Sequence, residues 1–209
     1  PRHREKLNRY QPPPARRTPD AAPTRFRSRG EIDSCVASLL KFAPFIRRIH
    51  VVTDEQVPPV LARAEGSLRH KLVRVDHRDI FAGHEDCLPT FNSISIETLL
   101  YRTPGLAEQF VYLNDDFFLI RPLQPTDFFR GGWPVLRGRY QAPPQRRIDR
   151  RLRRLVQRWF GTREGAQRTG FLDVQAHGAA LAGYTDRFLT FEHVPQAMRR
   201  STFESFFAA

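Results

Sequence analysis

Cysteine is scarce: Cys35 and Cys87 are the only two in 209 residues. Two are too few for a disulfide framework or a zinc site built from cysteines. Apolar spacing puts Cys35 on a helix face as a small core residue. A reducing, cytoplasmic setting is expected. No stretch approaches the roughly 18 uninterrupted apolar residues that a membrane span requires. No secretory leader is visible in a sequence that begins at Pro1. There is no internal repeat. Helix-turn-helix, zinc-finger and RNA-binding aromatic motifs are all missing, so no specific nucleic-acid partner is expected.

What is present fits a folded domain. Apolar residues make up 40% and aromatics 11%, with 17 Phe able to bury large areas. The net charge of +12 is concentrated. Between Arg137 and Arg168 stand 11 Arg against Asp149 and Glu164, a surplus of nine, and the rest of the chain is nearly balanced. Within that stretch Ile148, Leu152, Leu155, Val156, Trp159 and Phe160 recur on one helical face. Arg147, Arg150, Arg151, Arg154 and Arg158 fill the other. Residues 146–158 thus suit contact with an anionic membrane surface or polyanion, and equally a core-packed helix with a solvated basic face.

Along the chain, residues 1–24 are polar and Pro-rich and read as a lead-in over the surface. Ser28 and Glu31 have capping-box spacing before the stripe Ile32, Cys35, Val36, Leu39, Leu40 and Ala43, which Pro44 ends. Strands are predicted at 49–53, 72–76 and 110–113, with helices over 56–64 and from Asn92 or Ser93 to Pro104. Beyond Trp133 the pattern turns more helical, with helices over 148–160, over 173–183 and after Pro195, and a strand at 188–191. The expected fold is α/β and Rossmann-like: a mostly parallel sheet with flanking helices and a more helical C-terminal part. The parts are 1–24, a core over 25–135, an Arg-rich insertion over 136–170, and the end of the core over 171–209. Functional groups then gather beyond the carboxyl ends of the strands, near Asp54, Asp76 to Asp79, and Asp115-Asp116.

Asn114-Asp115-Asp116 is the sharpest chemical signal. Adjacent carboxylates at a strand end suit a hard divalent cation on the phosphates of a nucleotide. A turn in which the Asp residues cap backbone groups uses the same residues. Asp76-His77-Arg78-Asp79 offers His77 as a base but reads better as a solvated turn. Thr90, Asn92 and Ser93 sit where a helix begins, a place that favours an anion and is equally explained by capping. His193, on a loop before Pro195, has the chemistry for proton transfer at neutral pH.

An ordered series of words runs from Arg25 to Phe118: Arg25-Phe26-Arg27, Lys41 to Ile49, Val51-Val52-Thr53-Asp54, and Asp76 to Phe81. Leu88 to Ser93, Ile96-Glu97, Tyr101-Arg102, Pro104-Gly105-Leu106 and Phe110 to Phe118 follow. This series resembles the second and longest motif region of the Stealth family, which includes bacterial capsule polysaccharide phosphotransferases and the catalytic subunit of N-acetylglucosamine-1-phosphotransferase. His193-Val194-Pro195 with Arg200 resembles its shorter third region. The family's opening Trp-Val-Asp/Asn-Gly type motif does not precede Arg25, and its fourth motif does not follow Ser205. Asp33 and Ala37 stand where the family commonly has Arg.

The resemblance implies a transfer of hexose-1-phosphate from a UDP-sugar to a carbohydrate hydroxyl. It makes Asp115 and Asp116 the metal and phosphate carboxylates, with Mg²⁺ or Mn²⁺ as cofactor, and His193 the base. Arg25, Asn92, Ser93, Arg102 and Asn114 become donor-binding residues. Three rival readings remain: a metal-dependent glycosyltransferase, a non-catalytic basic protein that binds nucleic acid or another polyanion through the Arg137–Arg168 stretch, and a non-catalytic remnant. Peripheral contact with the inner membrane face would run through 146–158.

Overall fold

The structure, a computed structural model, describes residues 5–6, 9–10, 29–144, 171–191 and 194–208. Arg25, His193, Ser28 and the helix expected over 148–160 lie outside them. The chain divides into two compact units: Pro1–Val135 with Pro195–Ala209, and Leu136–Val194.

In the first unit, α1 spans Glu31–Phe42 and buries Cys35, Val36, Ser38 and Leu39 on one face, as the 3.6-residue spacing requires. Its N-cap is Gly30 at φ 86°, with no side-chain cap, in place of the expected capping box. The Glu31 carboxylate accepts instead from the Arg29 backbone N–H at 2.6 Å. β1 (Ile49–Thr53) alternates buried and half-buried residues. Two short helices follow, α2 (Pro59–Ala62) and α3 (Gly66–Lys71), where one helix over 56–64 was expected. They lead into β2 (Leu72–Asp76), which pairs in parallel with β1 from Ile49↔Leu72 to Thr53↔Asp76. α1, β1, β2 and Leu119 enclose a first apolar cluster that includes Val36, Leu39, Ala43, Ile49, Val51 and Leu72.

β2 ends in a cap. Asp76 accepts from the Arg78 N–H, and Asp79 accepts from the Asp76 N–H, forming a full capping box on α4 (His77–Ile80). The charged run at 76–79 is therefore a short helix start, where a turn was expected. Val75, Ile80 and Phe81 form a second cluster, with Leu88, Ile96, Leu99 and Leu100 packed against it. The last three place α5 (Ser93–Leu99) and the 3₁₀ turn Leu100–Arg102. β3 (Gln109–Tyr112) then pairs antiparallel with β8 (Gln196–Arg199), ahead of α7 (Arg200–Ala208). Thus a strand precedes the helix expected directly after Pro195. A hairpin of β4 (Phe129–Arg130) and β5 (Trp133–Pro134) turns through Gly131 and Gly132, both at positive φ.

The second unit pairs β6 (Gly138–Gln141) antiparallel with β7 (Phe188–Phe191). α6 (Phe171–Leu181) is tied to this pair by Gln175, whose Oε1 accepts from the Phe191 N–H at 3.3 Å. A Cβ at Gly138 would stand 2.1 Å from the Thr190 carbonyl oxygen. Gly138→Ala is expected to push the two strands apart and to cost about 1–3 kcal/mol. A urea titration of the Ala variant checks this, and an unchanged midpoint would contradict the close approach.

The described strands thus form four two-stranded sheets, one parallel and three antiparallel. Mixed α and β structure is present as expected. The Rossmann-like, mostly parallel sheet is not found among the described residues, because β3 takes β8 running against it as its neighbour.

Candidate functional site

The first unit contains a cavity of about 1470 Å³. Every residue of β1 and of β3 borders it, and so does the inner face of α1. Its wall is apolar along Val36, Leu39, Ile49 and Val51, and polar where Thr53, Gln56, His77, Ser93, Glu97, Tyr112, Asn114 and Asp115 meet it. The volume exceeds the roughly 300–1,000 Å³ of a typical small-molecule pocket, so the polar part is the natural place for a bound ligand.

Two elements supply that polar part. On α5, Asn92 is the N-cap and its Oδ1 accepts from the Ile94 N–H at 3.0 Å. Its side-chain oxygen thus closes the helix start, whereas Ser93 and Glu97, one turn apart, both border the cavity. On β3, Tyr112 projects so that its hydroxyl lies 2.8 Å from Glu97 Oε1 and also hydrogen-bonds Asn114 Oδ1. A phenol has one proton to give, so the two acceptors share it. This bridge joins α5 to the chain leaving β3 and holds Asn114 just ahead of the Asp pair. Burial first, then the Glu97 contact and the charges of Glu97, Asp115 and Asp116, push the Tyr112 phenol well above its usual range. It remains a neutral donor.

Asp115 borders the cavity, and both it and its neighbour Asp116 are exposed. Desolvation of the Asp115 carboxyl, followed by the neighbouring Asp116 charge, holds it above the ordinary Asp value. The same two carboxylates act on Cys35 after burial, taking its thiol to about 11, so it stays protonated and unreactive at neutral pH. Its Sγ approaches the Asn114 carbonyl oxygen at 3.9 Å, which makes Cys35 part of the floor under the acidic turn.

The native state binds the Asp115 proton more tightly than the unfolded chain does. Stability therefore falls as pH rises from the ordinary Asp range through the raised native value, and is level above it. Asp115→Asn is expected to raise the melting temperature at pH 7, and the gain is expected to vanish in acid below the ordinary Asp range. Thermal melts of both forms across pH decide this, and an Asn variant less stable at pH 7 would contradict it.

Other predicted residues lie elsewhere. Arg102 donates through Nη2 to the Ala82 carbonyl oxygen and does not border the cavity. Asp54 is paired with Lys6 at 2.7 Å, and Asp76 is used in its cap and by the Glu55 N–H at 2.9 Å. The structure thus brings Ser93, Asn114 and Asp115 to one cavity wall, with Asp116 adjoining. Arg25 and His193 fall outside the described residues. Glu97 and Tyr112 were given no role from sequence. Their signal was the i,i+4 spacing from Ser93 and the alternation that puts Tyr112 and Asn114 on one side of an extended chain.

As a metal site, the Asp pair fits a partly hydrated Mg²⁺ or Mn²⁺. Such ions take one or two carboxylates and complete their shell with water and substrate phosphate oxygens. Among the described residues there is no group of three or more His, Cys, Asp or Glu that could form an all-protein cage. No helix among them is long and apolar enough to cross a membrane.

The family model for Stealth protein CR2, conserved region 2, matches residues 25–133, just over half the chain. An exopolysaccharide phosphotransferase of Streptomyces coelicolor is 50% identical over 106 residues, covering 50% of this chain and 11% of the relative. An exopolysaccharide phosphotransferase of Lactiplantibacillus plantarum is 43% identical over 105 residues, 50% of this chain and 29% of the relative. A capsular polysaccharide phosphotransferase of Haemophilus influenzae is 42% identical over 106 residues, 51% and 28%. The chain matches less than a third of the length of each of these relatives. The matched region contains all the residues that line the cavity, Thr53, Ser93, Tyr112, Asn114 and Asp115 among them. By that match the chain belongs to the Stealth family, of which it carries conserved region 2.

Proposed function

We propose that the protein carrying this chain transfers hexose-1-phosphate from a UDP-sugar to a carbohydrate hydroxyl in capsule or exopolysaccharide synthesis. The observation that carries the reading is the gathering of Asp115, Asn114, Ser93 and the Tyr112–Glu97 pair on one cavity wall. Neutral donors can position a pyrophosphate, and a hard carboxylate pair suits the divalent cation that would neutralise its charge.

In this reading Ser93 and Asn114 orient the donor phosphates, and Tyr112 keeps Asn114 in place. Asp115 and Asp116 would hold Mg²⁺ or Mn²⁺, which supplies charge neutralisation on the pyrophosphate when bound. The acceptor hydroxyl oxygen bonds to the phosphorus that carries the sugar. The bond from that phosphorus to the bridging oxygen breaks, and UMP leaves with the electron pair. His193, assigned from its sequence context, takes the hydroxyl proton. The product is a sugar phosphodiester.

The nucleotide released from UDP-N-acetylglucosamine in the presence of acceptor separates this from glycosyl transfer. UMP supports the reading, and UDP moves the protein to the glycosyltransferases. The basic stretch 146–158 supplies contact with the anionic glycan or the membrane face in the same reading. Replacing its Arg residues by Gln is expected to weaken binding to anionic liposomes or glycan, and unchanged binding would rule that contact out.

A further inference from the structure

The β4–β5 hairpin carries a side chain that the proposed chemistry does not use. Trp133 is 67% exposed, directly after the Gly131-Gly132 turn. A single exposed aromatic is ordinary on a protein surface. This one differs in being held from behind. The Arg199 guanidinium lies 4.9 Å from the indole centroid. Arg199 is itself fixed, its Nε donating to Glu108 Oε1 at 3.0 Å, while Glu108 also accepts from the Ser201 hydroxyl at 2.6 Å. These contacts keep the Glu108 carboxyl below its usual range, the Ser201 hydroxyl first and Arg199 with it, so the ion that anchors Arg199 is charged at neutral pH. With a cation against one face and most of the residue still exposed, the opposite indole face is open.

The hairpin that carries Trp133 stands beside the cavity. Gly132 and Phe129 of the hairpin border it, as does Gln109, whose Nε2 donates to the Gly132 carbonyl oxygen at 3.4 Å. The same cavity carries Asp115 and Ser93 on its polar wall. A flat, pre-fixed, electron-rich ring beside a polar cavity suits one ligand class above others. A pyranose ring offers a face of C–H groups to stack on an indole, while its hydroxyls remain free for the amides and water around it. Because Arg199 already orients the indole, little side-chain entropy is lost when a sugar settles on it.

We propose that Trp133 is the stacking platform for a sugar ring of the acceptor glycan, at the rim of the cavity that holds Asp115. The choice of a glycan as occupant rests on the phosphotransferase reading above; the platform itself rests on the Trp133–Arg199–Glu108 arrangement. Arg199 and Glu108 are positioning residues for the indole.

The test uses the full-length protein and short oligosaccharides made by partial acid hydrolysis of the source organism's own exopolysaccharide. Trp133→Ala is expected to weaken their binding about tenfold or more, and Trp133→Phe to keep it within about threefold, since a phenyl ring still stacks. Binding of UDP-N-acetylglucosamine is expected to be the same in all three forms. Hydroxyl-radical footprinting of the unmutated protein gives a second readout that needs no variant to fold: saturating oligosaccharide is expected to shield Trp133 from oxidation. Unaltered affinity in a folded Trp133→Ala protein, or an indole oxidised equally with and without sugar, would overturn the proposal. Failure of the unmutated protein to bind any of the oligosaccharides would do the same. Trp133-dependent sugar binding without UDP-sugar binding would leave the platform standing and sink the transferase reading.

Discussion

Replacing Asp115 or Asp116 by Ala in the full-length protein is expected to lower UMP release from a UDP-hexose by about 10²–10³-fold, the range seen when one preorganised charge partner of a transition state is removed. Asp115 borders the cavity with Ser93 and Asn114, and Asp116 adds a second hard oxygen donor beside it. The Asp115 carboxyl is held above its ordinary value by desolvation and by Asp116, an arrangement that costs stability. Sites that keep such a cost are where function is expected. If the two carboxylates act as one unit, the double variant is expected to be little worse than either single one. Multiplicative losses in the double variant would mean that each carboxylate has a separate task. Full activity in either single variant would remove the pair from the chemistry.

The second large effect is on stability. Phe81 is 2% exposed and sits with Val75 and Ile80 at the centre of the second cluster. Phe81→Ala is expected to cost about 3–5 kcal/mol, the usual cost of emptying a core site of an aromatic ring. It is also expected to reach the site. Ile96, Leu99 and Leu100 pack on this cluster, and α5 carries Ser93 and Glu97 on the same helix. Loosening that support lets the Tyr112–Glu97 bridge drift from Asn114. Urea unfolding should therefore show a lower midpoint, and activity should fall even where the protein remains folded. A loss below about 1 kcal/mol would mean that the cluster relaxes to fill the space, contrary to close packing.

Part of this architecture was legible in the sequence, for physical reasons tied to particular residues. β1 and β2 were readable because Ile49-His-Val-Val-Thr and Leu72-Val-Arg-Val-Asp concentrate β-branched residues that fit a buried strand. The start of α5 was readable because Asn92 is a good cap before an apolar run. β8 was not. Gln196-Ala-Met-Arg has no β-branched residue, and only its pairing with β3 makes it a strand. That long-range pairing also turns the expected parallel neighbour of β3 into an antiparallel one. The cap of α1 was misassigned for a related reason. Gly30 reaches φ 86° without penalty and begins the helix before a side chain is needed.

The candidate site was legible in its carboxylates and less so in its scaffold. Asn114-Asp115-Asp116 stands out in any reading, since three polar residues end an apolar run. The Tyr112–Glu97 bridge is a tertiary contact between a strand and a helix 15 positions apart, and neither residue alone announces it. Trp133 is similar: its fixed position depends on Arg199 and Glu108, 66 and 25 positions away in the chain. Asp54 and Asp76 share the strand-end position of Asp115 but are spent on Lys6 and on a helix cap. Sequence position alone does not separate them.

In the proposed reaction phosphorus moves with the sugar. The most direct test supplies full-length protein with UDP-N-acetylglucosamine labelled with ³²P at the phosphate next to the sugar, together with polysaccharide acceptor and Mg²⁺ or Mn²⁺. The label is expected in the polysaccharide as a phosphodiester, with unlabelled UMP as the free nucleotide. Label recovered in UDP, with sugar but no phosphorus on the polysaccharide, would contradict that reaction.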